Sequence, residues 1–84
     1  MATLTLQTPD QELVVDLDDE TIRPLVGDLR IASPALAEKF EEAVFVPLQV
    51  LLLDEREVEL LAAAAKTVSN SFVEDPALEQ LAHL

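Results

Sequence analysis

Thr3 to Gln7 alternate polar and apolar side chains, and Glu12 to Leu17 place Leu13, Val15 and Leu17 on one side of an extended chain. Period-two alternation on both sides of Thr8-Pro9-Asp10-Gln11 predicts a β-hairpin over 3–17, with Pro9 presetting φ at the second position of the turn. The period then changes. Ile22, Leu25, Val26 and Leu29 recur at i, i+3, i+4 and i+7 behind Asp18, Asp19 and Glu20. Carboxylates suit the positive end of a helix, so a short helix is expected over 21–30, with Pro24 accommodated in its first turn. Gly27 inside that helix costs about 1 kcal/mol relative to alanine.

Ser33-Pro34 is a helix start signal, an N-cap followed by proline at the first helical position. Leu36, Ala37, Phe40, Ala43 and Val44 follow at helical spacing with Glu38, Lys39, Glu41 and Glu42 on the other side, which predicts an amphipathic helix over 34–46. The apolar run 47–53 reads either as a third strand or as a kinked continuation of that helix. The strand is favoured, with Pro47 at its first position or on an edge. Asp54 and Glu57 form a capping-box pattern that opens the strongest helix, 55–73. Along it Val58, Leu61, Ala65, Val68 and Phe72 repeat with alternating gaps of three and four. That seam reads as a stripe facing the domain's own core or as a face for another helix; its shortness favours the core, since coiled coils sustain three or more heptads. Asp75-Pro76 starts a last short helix over 76–83, carrying Ala77, Leu78, Leu81 and Leu84. The expected fold is α+β in one domain over 1–84: an N-terminal β-hairpin with a possible third strand, packed on three to four short helices. The alternative is a mainly α chain with a helical-bundle core.

Composition sharpens this picture. Half of the 84 residues are hydrophobic but only three are aromatic, all Phe, so the core must be built from Leu, Val, Ile and Ala. A domain this small has much surface for its volume, so part of the apolar complement is expected in an interface with a protein partner or a second copy, as in a homodimer. The net charge of −12 disfavours direct binding to nucleic acid and to anionic membranes, both of which require Lys and Arg. The absence of cysteine removes thiolate metal sites and cysteine nucleophiles. The N-terminal residues show no signal-peptide pattern, and the run from Ala43 to Leu53 is far shorter than the roughly 20 residues a bilayer span needs. A soluble cytoplasmic protein is expected.

Catalytic chemistry finds little support. His83 is the only histidine and lies at a fraying end of the chain. Lys66 and Ser69 can touch at i, i+3, but activating the serine needs a buried neutral lysine and an oxyanion pocket. Asp16, Asp18 and Glu20 imitate the first ligands of an EF-hand loop, yet Thr21 stands where its glycine belongs and Gly27 where its bidentate Glu belongs. A phosphopantetheine carrier would share the acidity and small size, but none of Ser33, Ser69 or Ser71 follows an Asp or precedes a Leu. No cofactor, no metal and no enzymatic activity are expected.

The resulting reading is a small acidic protein-interaction module, an adaptor, regulator or complex subunit. Its expected contacts are Val58, Leu61, Ala65, Val68 and Phe72, backed by Phe45, Leu51 and Leu53. Asp54, Glu55, Glu57 and Glu59 form an acidic rim that favours a basic partner. The alternative is a nucleic-acid mimic that occupies the basic groove of a DNA- or RNA-binding protein. The acids are spread along the chain, so that alternative needs folding to bring Asp16–Glu20 beside Asp54–Glu59.

Overall fold

In the computed structural model, which describes residues 2–46, 50–71 and 75–84, the two alternating segments pair as antiparallel strands β1 (Ala2–Gln7) and β2 (Glu12–Leu17). The register sets Leu4 opposite Val15 and Leu6 opposite Leu13, so the apolar positions of both strands share one face. Thr8 ties the turn. Its N–H donates to the Gln11 carbonyl (2.8 Å), and its Oγ1 accepts from the N–H groups of Asp10 and Gln11. The third strand forms as β3 (Val50–Leu52), parallel to β1 with Thr5 opposite Val50 and Gln7 opposite Leu52. The sheet order is β2-β1-β3. Residues 47–49 of the expected strand lie outside the described residues.

A parallel pair requires a crossover, and two helices supply it between β2 and β3. Helix α1 (Asp19–Ala32) starts two residues earlier than its apolar spacing suggests: Asp18, extended, holds the N-cap position through its carbonyl, which accepts from the Thr21 and Ile22 N–H groups, its side chain makes no cap bond, and Asp19 and Glu20 fill the first turn. Pro24 consequently lies beyond the first turn, which corrects the expected placement. Having no N–H, it cannot donate to the Glu20 carbonyl one turn back, a loss placed where the helix is exposed at Glu20. Helix α2 (Pro34–Phe45) is capped by Ser33, whose Oγ accepts from the Leu36 N–H (3.3 Å). Helix α3 (Glu55–Ser71) opens on the reciprocal capping box: the Glu57 N–H donates to Asp54 Oδ1 (2.8 Å), and the Asp54 N–H donates to Glu57 Oε1 (3.1 Å). Its expected last residues, 72 and 73, lie outside the described residues. Helix α4 (Pro76–Ala82) is capped by Asp75, whose Oδ1 accepts from the Ala77 N–H (2.9 Å).

The apolar stripes determine the packing. α2 lies against β1 and β3, and α4 lies against β2; α1 packs on α2 and α3, and α3 packs on α4. Leu4, Leu6, Leu17 and Leu51 from the sheet meet Leu25, Leu29, Phe40, Leu61, Leu78 and Leu81 from the helices in one fully buried core. Burying a leucine contributes on the order of 2 kcal/mol, which is how an almost all-aliphatic sequence holds together. One polar tie crosses this interior: buried Thr21 donates its hydroxyl to Asp75 Oδ2 (2.9 Å), joining the start of α1 to the cap of α4. The chain is an α+β domain, and no helix among the described residues is long and apolar enough to cross a membrane.

Candidate partner-binding surface

Helices α2 and α4 lie on the leucine-lined face of the sheet, and among the described residues nothing covers the other face. Strand alternation assigns its occupants: Thr3, Thr5 and Gln7 from β1, Glu12, Val14 and Asp16 from β2, and Val50 and Leu52 from β3. Thr5 has Val14 on one side and Val50 on the other, which makes an apolar row across all three strands. Val14 is 56% exposed, Val50 48% and Leu52 58%. A solvated sheet face ordinarily alternates to polar side chains, and three aliphatic ones here contribute nothing to the core. Phe45 and Val46, which close α2 on the way to β3, are exposed as well. The acids of the face are Glu12 and Asp16; Asp16 Oδ1 accepts from the Thr3 hydroxyl (2.8 Å), and no Lys or Arg points outward from the sheet.

β3 is an edge strand. The Leu53 N–H donates to the Gln7 carbonyl (2.9 Å), so the backbone of Leu53, like that of Leu51, faces β1. Successive residues of a strand turn their amides to opposite edges, and the N–H and C=O groups of Val50 and Leu52 therefore point away from the sheet. Among the described residues nothing pairs with them. No known protein family, curated protein or solved structure matches this chain.

The residues expected to carry the interface are distributed otherwise. Leu61, Ala65 and Val68 are buried in the core, at 0%, 0% and 1% exposure, and Val58 is half-buried against it. The α3 seam is thus turned inward and closes on α1 and α4; Phe72 lies outside the described residues. Of the three residues placed behind the seam, Leu51 and Leu53 are buried and Phe45 is exposed. Asp54, Glu55 and Glu59 face solvent, whereas Glu57 is half-buried and held by Lys39 Nζ at 3.2 Å as well as by the Asp54 N–H. Glu57 is therefore an internal brace more than a rim residue.

The register also separates the two acidic groups. β2 ends opposite Ala2 and β3 ends opposite Gln7, so Asp16–Glu20 and Asp54–Glu59 leave the sheet at opposite ends, roughly 17 Å apart along β1. Asp16, Asp18 and Glu20 are divided among a strand, a cap and a helical turn, and no group of described residues has the composition of a metal site. Lys66, Ser69 and His83 line one open cleft between α3 and α4, of about 590 Å³, together with Asp75 and Glu79. Both carboxylate oxygens of Asp75 are engaged there, with Thr21 and the Ala77 N–H.

Val14, Val50 and Leu52 were the residues that spacing alone did not single out. Val14 carried a signal, an apolar side chain where the alternation of β2 calls for a polar one. The unbroken run Val50 to Leu53 reads as a strand buried on both faces, but this sheet is covered on one.

Proposed function

We propose that this chain is a non-enzymatic protein-interaction module, an adaptor, regulator or subunit, that binds a protein partner through the uncovered face of its sheet. The observation that carries this reading is the row of exposed aliphatic side chains on that face, Val14 and Val50 astride Thr5 with Leu52 beside them. Burying such a patch contributes about 25 cal/mol per Å² of apolar surface, while the surrounding acids keep the free protein soluble and bias it towards a basic partner. A reducing cytoplasmic setting suits a cysteine-free chain of this kind.

Affinity capture from an extract of the source cells tests the reading, with the wild type, Leu52→Lys and Ile31→Lys as baits. Ile31 is 86% exposed on α1, away from the sheet, so its substitution controls for added charge. A protein retained by the wild type and by Ile31→Lys, and lost with Leu52→Lys, is the expected outcome. Equal retention by all three baits would place binding elsewhere.

A further inference from the structure

We propose that the free edge of β3 takes up an extended, cationic segment of the partner protein as a fourth strand. The inference rests on the preceding reading of the sheet as a protein-binding surface, and it adds the conformation and charge of what binds.

The conformation follows from the backbone. Val50 and Leu52 direct their N–H and C=O groups out of the sheet plane's edge, and Leu51 and Leu53 direct theirs to β1. An unpaired row of this kind is satisfied by another strand, with main-chain hydrogen bonds supplying affinity and alternate side chains supplying specificity. At three residues β3 is short, which itself limits an edge, but among the described residues no other device protects it. It carries no charge and no proline between Val50 and Leu53, and its outward side chains are aliphatic. An incoming strand with apolar residues at every second position would extend the Val14–Thr5–Val50 row by one more strand.

The charge follows from the surroundings. Exposed Asp54 and Glu55 follow directly on β3, with exposed Arg56 after them, and the whole chain carries a net charge of −12. Of the five bases in the chain, Arg30 is paired with Glu41 (3.1 Å) and Lys39 with Glu57 (3.2 Å). Lys and Arg at the remaining alternate positions of the segment complement this field. A second copy of the chain fits less well, since it would bring another −12 against the first across a strand of three residues. A stable dimer buries about 800 Å² per partner, far beyond what such a short ladder covers.

The test uses the full chain and a fluorescein-labelled peptide of about eight alternating Lys and Val residues, a length that matches a typical strand. Three analogues accompany it: one with Glu for Lys, one with the same composition in scrambled order, and one methylated on alternate backbone nitrogens. Binding is read by fluorescence anisotropy between about 20 and 300 mM NaCl. The expected result is salt-sensitive binding of the alternating Lys peptide, about tenfold or more weaker for each analogue and for Leu52→Lys, and unchanged for Ile31→Lys. Equal affinity for the methylated or scrambled peptide would mean that charge alone holds it, and would overturn strand addition. Absence of binding, preference for the Glu peptide, or a concentration-dependent dimer abolished by Leu52→Lys would overturn the proposal too. In each of these cases a partner captured through Leu52 would leave the broader reading of the sheet intact.

Discussion

Gly27 lies exposed in the middle of α1, and a Cβ built there meets nothing within 4 Å. Its backbone is helical, so no feature of the fold demands glycine. Replacing it by alanine removes unfolded-state freedom and adds helix propensity, and Gly27→Ala is predicted to stabilise the domain by about 0.5–1 kcal/mol. For a domain of this size that corresponds to a rise in Tm of roughly 2–8 °C, measurable by circular dichroism. A lower Tm would mean that the site needs glycine for a reason absent from its surroundings. Single positions were read from the chain with uneven success for a physical reason. The heptad-like spacing of Leu61, Ala65 and Val68 shows that they share a helix face, but a face has the same spacing whether it meets its own core or a partner. Only the placement of α1 and α4 decides that.

At the scale of elements, caps and periodicity carried most of the fold. Ser33-Pro34, Asp54 with Glu57 and Asp75-Pro76 each start a helix where the chain signals it, because a local side chain satisfies local N–H groups and no distant partner is needed. The strand at Val50–Leu52 was harder to read, since its pairing with β1 depends on a residue far away in sequence. Parallel pairing, and the exposure of every second residue it produces, is set by topology. The cap at α3 gives a direct check on the local part of this account. Asp54→Ala removes the acceptor for the Glu57 N–H and is predicted to cost about 0.5–2 kcal/mol, whereas Asp54→Ser, which keeps an acceptor, should stay within a few tenths of the wild type. Urea unfolding midpoints distinguish the two; equal losses from both would assign the effect to the charge of Asp54 and not to its cap.

On the scale of the whole molecule, the fold places most of an unusually large apolar complement inside a body with a radius of gyration of 11.1 Å, close to the roughly 12 Å expected for a compact chain of this length. What remains outside is concentrated. Among the described residues, three aliphatic side chains stand on the exposed sheet face, two apolar residues end α2, and only Ile31 is isolated on a helix. Acidic groups leave the sheet at both ends, so the apolar row has negative charge on either side. The account therefore depends on the outer edge of β3 being open in the free protein. Residue-resolved amide hydrogen exchange measures that directly, at low and high protein concentration. The predicted result is slow exchange at Leu53, whose N–H is bonded to Gln7, and fast exchange at Val50 and Leu52 regardless of concentration. Protection of Val50 and Leu52 equal to that of Leu53 would show the edge already covered, and would contradict a surface held ready for a partner.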